Sequence, residues 1–365
     1  MKMNDPSKPG DAQVRVLIVD DSAFMRTALC RMIALDPDLL VVGTAATGSE
    51  ALQKIVPLDP DVITLDVEMP GLNGIETLRR IMTEFPRPVI MVSSLTVENA
   101  EITFDALAAG AFDYVPKQLS STSLEILHIR NDLIGKIKAA AESRRSKDHF
   151  NLLRKPPRAE LRGKDSLSSP AAIVAVGVST GGPQALEEIL PQLPANLPVP
   201  VLIVQHMPVG FTAPFAERLN KACPAVICQA SQGEIIRPGV VYLAPAGLQM
   251  TVNRGNERTF IYLSEKPEGQ MHVPSADVLM QSVASAFHSE AMGVIMTGMG
   301  SDGAEGMKAI HRAGGFTVGQ DEFSCAVYGM PRICAEMGIL DRVVPLSQIP
   351  REILRAATYR KASVS

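Results

Sequence analysis

The sequence lacks a metal-binding or disulfide arrangement of cysteines, an apolar run long enough to cross a membrane, and a large excess of charge. Its five cysteines are scattered and odd in number, so we expect reduced thiols in a cytoplasmic protein. The N-terminus, M-K-M-N-D-P-S-K-P-G, has no apolar segment and predicts no signal peptide. The net charge of −4 gives no indication of nucleic-acid binding or membrane insertion.

The length of 365 residues predicts two domains, and a change in composition separates them. Residues 144–165 hold eight basic and three acidic residues and include a Pro-Pro pair. We therefore predict a basic, Ser-rich linker over residues 141–170 that acts as a mobile tether, with docking to an acidic partner as the alternative. The predicted domains cover residues 1–140 and 171–358, and residues 359–365 form a tail.

The first domain alternates five apolar strand patterns with five helical ones, which predicts a parallel, doubly wound sheet. The functional crevice of such a sheet lies beyond the carboxyl ends of its strands. The predicted strands cover residues 14–19, 40–44, 62–67, 89–93 and 113–115. The predicted helices cover residues 22–35, 49–55, 74–82, 98–108 and 122–140.

Polar residues stand at four of those five strand ends. Asp20 and Asp21 follow the first strand, Asp66 lies near the end of the third, Ser93 ends the fourth, and Lys117 follows the fifth. Clustered carboxylates suit a hard cation such as Mg²⁺, and a lysine and a hydroxyl suit an added phosphate. The alternative is a set of solvated loop residues without a shared function.

This domain resembles the response-regulator receivers, through V-L-I-V-D-D-S, V-I-T-L-D-V-E-M-P-G-L-N-G, V-I-M-V-S-S and A-F-D-Y-V-P-K. The resemblance implies a flavodoxin-like (βα)₅ fold in which Asp66 accepts a phosphoryl group. It also implies that Asp20, Asp21, Asp66 and the Glu68 carbonyl bind Mg²⁺. Ser93 and Lys117 are implied as phosphate sensors, and Tyr114 as the switch aromatic. Receivers usually place proline after the lysine, whereas here Pro116 precedes Lys117.

The second domain also predicts an α/β fold with a mainly parallel, doubly wound sheet. Strands are predicted at residues 171–178, 200–204, 291–296, 316–318 and 342–344. Helices are predicted after residue 182 and at residues 212–221, 275–287, 304–312 and 326–337. Short strand patterns at residues 226–229, 240–243, 249–252 and 259–263 are separated by turns, so we expect part of this region to form a small antiparallel flap.

Ser179 stands between a buried strand and a helix, in the sequence V-G-V-S-T-G-G-P-Q. Gly181 and Gly182 permit close backbone approach and unusual dihedral angles, and Pro183 favours a first helical turn. The helix's free N–H groups would then stabilise negative charge near Ser179. The alternative is a serine that only caps the helix.

His206 and Asp302 follow two further predicted strands, so three strand ends carry the composition of a Ser–His–Asp triad. A serine is a weak nucleophile that needs an adjacent base, and the base needs an orienting carboxylate. The order Ser…His…Asp and the absence of G-x-S-x-G differ from α/β-hydrolases. The alternatives are a structural histidine and an aspartate that caps its own helix. His272, in M-H-V-P-S-A-D, is a further candidate to line the crevice.

The second domain resembles the catalytic domain of CheB-type chemotaxis methylesterases, through V-G-V-S-T-G-G-P-Q-A-L, V-Q-H-M-P-V-G-F-T, Y-L-A-P-A-G, H-V-P-S-A-D-V-L, M-T-G-M-G-S-D-G-A-E-G-M and Q-D-E-F-S-C-A-V-Y-G-M-P. The resemblance implies hydrolysis of glutamate γ-methyl esters and deamidation of particular glutamines on chemoreceptors. It implies Ser179 as nucleophile, His206 as base and Asp302 as its orienter. It further implies that Thr180 positions the site and that the Met299 backbone N–H contributes to an oxyanion hole.

The family resemblance also implies partners and control. We expect methyl-accepting chemotaxis receptors as substrate, a CheA-type histidine kinase as phosphodonor, Mg²⁺ in the first domain, no cofactor in the second, and a monomer. Phosphorylation of Asp66 is expected to relieve a block on the crevice by the first domain. Two alternatives stay open: the same chemistry on a non-chemotaxis receptor, and a phosphorylation-switched binding module without chemistry.

Overall fold

The computed structural model describes residues 13–94, 97–117, 123–153, 169–265 and 272–358. Backbone contacts divide the chain into two compact units, one of residues 1–94 and 108–148 and the other of residues 95–107 and 149–365. This division does not test the domain boundaries predicted at residues 140 and 171, which stay predictions.

The first sheet has five parallel strands in the order β2-β1-β3-β4-β5, and the predicted alternation of strands and helices is confirmed. The strands are β1 (Val14–Val19), β2 (Leu39–Ala45), β3 (Val62–Asp66), β4 (Val89–Ser93) and β5 (Asp113–Pro116). The helices are α1 (Ala23–Ala34), α2 (Gly48–Leu58), α3 (Gly74–Glu84), α4 (Val97–Ala108) and α5 (Ser123–Leu153).

Strands β3 and β4 are buried along their whole length, as expected where a parallel sheet is covered on both faces. Side chains at the strand-to-helix turns cap the following helices. Ser22 accepts a hydrogen bond from the Met25 N–H at the start of α1, and Asn73 and Glu76 form a capping box at the start of α3. The residues just before α1 and α3 therefore fix where these helices begin, after the carboxyl ends of β1 and β3.

Helix α5 continues to Leu153, beyond the predicted end at residue 140. Ala139, Ala140 and Ala141 and the Glu, Arg and Lys residues that follow all favour a helix, so a basic run is compatible with helical structure. The predicted end of this helix at residue 140 is therefore wrong, and the role of residues 141–170 as a mobile tether stays a prediction. Residues 154–168 of the predicted linker, and the predicted tail, lie outside the described residues.

The second sheet has seven parallel strands in the order β14-β13-β12-β6-β7-β9-β8, and a separate antiparallel pair joins β10 to β11. Its strands are β6 (Ile173–Val178), β7 (Val201–Gln205), β8 (Val226–Gln229), β9 (Val240–Leu243), β12 (Ala291–Ile295), β13 (Phe316–Gln320) and β14 (Arg342–Val344). The antiparallel pair is β10 (Gln249–Arg254) and β11 (Thr259–Ser264).

Six helices accompany the second sheet among the described residues. They are α6 (Gly182–Ile189), α7 (Thr212–Ala222), α8 (Ala276–Phe287), α9 (Ala304–Arg312), α10 (Met330–Glu336) and α11 (Ile349–Thr358). The antiparallel flap is confined to β10 and β11, since β8 and β9 join the parallel sheet. Helix α10 begins at Met330 rather than at residue 326, and α11 is an additional element.

The middle of the second sheet brings three strand ends together. β6 pairs in parallel with β7 on one side and with β12 on the other. Because parallel strands end at the same edge, the residues that follow β6, β7 and β12 share one crevice. No helix among the described residues is both long and apolar enough to span a membrane. The five cysteines all lie in the described ranges and form no disulfide.

Candidate active site

Ser179 directly follows β6, in a turn held by the backbone. Its N–H donates to the Thr297 carbonyl (2.9 Å), and its carbonyl accepts from the Gly182 N–H (2.8 Å). Helix α6 has Gly181 as its N-cap, and no side chain caps it. The alternative that Ser179 only caps this helix is therefore wrong.

The glycines around Ser179 are required by close contacts. Gly181 has a φ of 72°, a left-handed conformation that glycine adopts without strain. A Cβ on Gly182 would lie 2.0 Å from the Gln205 Oε1, and one on Gly298 would lie 2.8 Å from the Ser179 Cβ. The turn thus packs against the strand ends on both sides, which fixes the position of the serine.

His206 follows β7, and its imidazole lies between the other two predicted residues. Its Nδ1 is 3.2 Å from the Ser179 Oγ, and its Nε2 is 2.8 Å from the Asp302 Oδ2. The Gln205 amide also ties the two loops together, donating to the carbonyls of Ser179 (3.0 Å) and His206 (2.9 Å). The structure therefore brings all three residues into one hydrogen-bonded relay.

The histidine ring is turned relative to the serine-protease arrangement, in which Nε2 faces the serine and Nδ1 the carboxylate. Here Nδ1 faces Ser179 and Nε2 faces Asp302. The same chemistry is available, because each imidazole nitrogen accepts a proton when the other one carries it. With Nε2–H donating to Asp302, the lone pair of Nδ1 points at the serine hydroxyl.

Asp302 lies in the loop after β12 and is only 7% exposed. Helix α9 has Gly303 as its N-cap without a side-chain hydrogen bond, so the alternative that Asp302 caps its own helix is wrong. Asp302 instead accepts hydrogen bonds from the N-terminus of α8. Besides His206, its carboxylate accepts from the Ser275 Oγ (2.7 Å), the Ala276 N–H (2.7 Å) and the Asp277 N–H (3.2 Å).

These contacts decide the charge of the carboxylate. Burial by itself raises the pKa of Asp302, but hydrogen bonds from His206, Ser275 and the Ala276 N–H outweigh it and hold that pKa well below its usual range. Asp302 is therefore ionised at neutral pH and favours the tautomer of His206 that carries its proton on Nε2.

Thr180 and Met299 flank the serine. Thr180 is buried, and its carbonyl accepts from the Thr297 Oγ1 (2.9 Å). Met299 follows Gly298, whose carbonyl accepts from the N–H groups of Gly329 (3.1 Å) and Met330 (2.9 Å). The Met299 N–H donates to no acceptor among the described residues, which leaves it able to bind an oxyanion. The positioning and oxyanion roles of these two residues stay predictions.

Three further residues contribute to the site, and of these the sequence indicates only His272 as a candidate to line the crevice. Gln205 bridges the loops, and nothing but its position next to His206 pointed to it. Ser275 is the N-cap of α8, and its Oγ also donates to Asp302. His272 stacks flat on His206, with ring centroids 4.5 Å apart and planes at 2°.

The predicted phosphorylation residues form a second cluster, in the first sheet. Asp20 and Asp66 are buried, and one carboxylate oxygen from each of Asp20, Asp21 and Asp66 lies within 4.8 Å of the other two. The Lys117 Nζ is 2.5 Å from the Asp66 Oδ2 and 3.0 Å from the Asp20 Oδ2. Lys117 therefore reaches both buried carboxylates even though Pro116 precedes it.

The electrostatics of this cluster suit a divalent cation. Burial raises the pKa of Asp66 to about 6, with Lys117 opposing and Asp20 adding to the shift. Burial lowers the pKa of Lys117, but the two carboxylates more than compensate, and the net shift is upward. Three carboxylates face one ammonium group, so negative charge is in excess. The donors are hard oxygens, which fit Mg²⁺.

The remaining predicted residues surround Asp66 and Lys117. The Glu68 N–H donates to the Asp66 Oδ1 (3.1 Å), and the Ser93 carbonyl accepts from the Lys117 N–H (2.8 Å). Tyr114 is buried, and the Lys136 Nζ lies 5.3 Å from its ring centroid. Their roles in binding Mg²⁺ and sensing phosphate stay predictions.

Comparison with known proteins places both clusters in matched regions. The family model described as CheB methylesterase matches residues 174–353, and the one described as Response regulator receiver domain matches residues 16–127. A protein-glutamate methylesterase/protein-glutamine glutaminase 1 of Oleidesulfovibrio alaskensis is 42% identical over 365 residues, covering 94% of this chain and 99% of the relative. One of Pyrococcus abyssi is 44% identical over 345 residues, covering 94% of each. The crystal structure of the Thermotoga maritima CheB methylesterase catalytic domain is 36% identical, with a TM-score of 0.50, covering 51% of this chain and 98% of that one.

Proposed function

Because this chain belongs to the CheB methylesterase family, we propose that it is a phosphorylation-regulated serine hydrolase acting on chemoreceptors. It would cleave glutamate γ-methyl esters to glutamate and methanol, and deamidate particular glutamines to glutamate and ammonia. Relatives named protein-glutamate methylesterase/protein-glutamine glutaminase align over nearly the whole chain. The observation that carries the proposal is the relay of Ser179, His206 and Asp302.

The first half of the proposed reaction forms an acyl-enzyme. The Ser179 Oγ attacks the side-chain carbonyl carbon of the receptor residue while the His206 Nδ1 takes the hydroxyl proton. The carbonyl oxygen becomes an oxyanion, to which the Met299 N–H would donate a hydrogen bond. One such donor is typically worth about 10²–10³ in rate. His206 then returns the proton to the leaving group, which departs as methanol or ammonia.

The second half releases the receptor. Water gives a proton to the His206 Nδ1 while its oxygen attacks the acyl carbon. The bond between the acyl carbon and the Ser179 Oγ then breaks, His206 returns the proton to Oγ, and the receptor leaves with a glutamate side chain. Asp302 stays ionised through both halves and stabilises the imidazolium that forms twice in each cycle. Thr180 helps to hold the turn that carries Ser179, through its bond with Thr297.

Control of the activity is proposed to pass through Asp66. A CheA-type histidine kinase would donate a phosphoryl group to it, with Mg²⁺ held by Asp20, Asp21, Asp66 and the Glu68 carbonyl. The bound ion would neutralise charge on the transferring group. Ser93 and Lys117 would contact the phosphate, and Tyr114 would report its presence to the rest of the chain. We further propose that the protein acts in the cytoplasm, as a monomer, without binding nucleic acid.

The proposal is tested by replacing the nucleophile. Methanol release from methylated chemoreceptors should fall in Ser179→Ala to the rate without enzyme, while Ser169→Ala, outside the site, should match the wild type. Near-normal release by Ser179→Ala would refute the assignment of the nucleophile. Unchanged receptor binding by Ser179→Ala would show that only the chemistry was removed.

A further inference from the structure

The site contains a second imidazole that the proposed mechanism does not use. The rings of His272 and His206 lie almost parallel, with their centroids 4.5 Å apart and their planes at 2°. Both nitrogens of His206 are engaged at the ring edge, with Ser179 and Asp302. Edge contacts alone leave the tilt of a ring weakly determined, whereas a ring stacked on its face restricts that tilt.

His272 is itself held from behind by a buried amide. Gln249, which is 1% exposed at the start of β10, donates from Nε2 to the His272 carbonyl (2.8 Å). Its Oε1 accepts from the Ser275 N–H (2.8 Å), so both ends of one amide bind the same short stretch of chain. The Gly247 N–H adds a bond to the Val273 carbonyl (3.2 Å). The backbone under the stacked ring is thus fixed to the start of β10.

The same stretch also holds the carboxylate. Ser275, Ala276 and Asp277 supply three of the four hydrogen bonds that Asp302 accepts. Residues 272–277, here named the brace, therefore touch the base through a ring at one end and its orienting carboxylate through N–H and O–H donors at the other.

We propose that His272 is a positioning residue, and that the brace sets the base and its carboxylate relative to each other. The inference rests on the proposed function, because it assigns His206 the task of taking the Ser179 proton. His272 acts through its flat ring and transfers no proton. Removing the ring frees His206 to tilt away from Ser179, and misplacement of about 1 Å typically costs about 10²-fold in rate.

The test compares three substitutions by the rate of methanol release. His272→Ala and His272→Leu remove the flat ring, and each should lower kcat roughly 10- to 100-fold while KM changes little. His272→Phe keeps a flat ring without a titratable nitrogen and should restore most of kcat. His311→Ala, on α9, is the matched control. Unfolding midpoints establish that each variant is folded, and His272→Leu replaces His272→Ala should the smaller residue fail to fold.

Two results would overturn the inference: wild-type kcat in a folded variant without the ring, or His272→Phe as slow as His272→Leu. A second readout is the rate at which a fluorophosphonate labels Ser179, which depends on the base but not on a receptor. That rate should fall in the same order across the variants. If the wild type is labelled yet releases no methanol from receptors, the proposed function fails, and the labelling rates alone decide the role of His272.

Discussion

Asp302 is a carboxylate that the protein removes almost completely from water and keeps ionised. It accepts four hydrogen bonds, of which three come from the start of α8 and one from His206. A buried charge is tolerated only when it is fully hydrogen-bonded. The residue that orients the base is thus also a fixed point of the fold, and its chemistry and its contribution to stability have the same cause.

The lowered pKa of Asp302 predicts how stability depends on pH. The carboxylate has a lower pKa in the folded chain than in the unfolded chain. It therefore stabilises the fold above about pH 4, and this stabilisation is lost as the pH falls further. When the pH is lowered from about 5 to about 3, the free energy of unfolding measured in urea should fall by roughly 1 kcal/mol less in Asp302→Asn than in the wild type. Equal losses in wild type and variant would contradict the shift, and the exposed Glu257→Gln is the control.

Gly298 gives a second prediction at this scale. A Cβ there would lie 2.3 Å from the Met330 Sδ and 2.8 Å from the Ser179 Cβ, so Gly298→Ala must move the nucleophile. We expect kcat to fall at least about 10-fold, with a lower melting temperature. Gly255→Ala, in the turn between β10 and β11 and away from Ser179, is the control and should leave kcat unchanged. Unchanged kcat in Gly298→Ala would show that the turn accommodates the added methyl group without displacing Ser179.

At the scale of elements, helices α8 and α9 each hold a carboxylate from the other's N-terminal region. Asp302, just before α9, binds the start of α8. Asp277, in the first turn of α8, accepts from the Gly306 N–H of α9 (2.7 Å). Helix N-termini favour negative charge, so each carboxylate stabilises the partner helix. Gly306 permits this approach, because a Cβ there would lie 2.5 Å from the Met280 Cβ.

This exchange of caps predicts that Asp277 supports catalysis without touching the substrate. Asp277→Ala removes the acceptor of the Gly306 N–H and should lower the free energy of unfolding by about 1–2 kcal/mol. It should also lower kcat, because α8 and α9 together set the place of Asp302. Asp277→Asn keeps an acceptor and should show smaller effects. Glu305→Ala, on the exposed side of α9, serves as the control, and equal losses in it would argue against a specific cap.

The sequence predicted the parts of the fold that local pattern determines. Strand and helix order in both sheets followed from periodicity, and Ser179, His206 and Asp302 could be grouped because parallel strands end at one edge. The continuation of α5 to Leu153 differs from the prediction because a basic run is compatible with a helix as well as with a linker. The pairing of β8 and β9, the turned ring of His206 and the stack on His272 depend on contacts between distant residues, which no local pattern encodes.

At the scale of the whole molecule, the two clusters lie in separate sheets, so any control of one by the other is a property of the complete chain. The Asp66 cluster has one ammonium group for three carboxylates, and a phosphoryl group adds a charge of about −1.5 to −2. Such a change is large enough to bias a two-state element. Phosphorylation should therefore alter the rate at Ser179 only in the presence of a divalent cation.

A small-molecule phosphodonor with Mg²⁺ should raise methanol release by the full-length wild type, because control of the activity is proposed to pass through phosphorylation of Asp66. Asp66→Asn should show no rise, since it lacks the acceptor carboxylate. EDTA should remove the rise while leaving the basal rate, because the mechanism proposed for Ser179, His206 and Asp302 uses no metal ion. Asp38→Asn, at the surface of the same unit, should still respond. An equal rise in Asp66→Asn would place the phosphorylation site elsewhere, and a basal rate that falls with EDTA would require a metal at the relay itself.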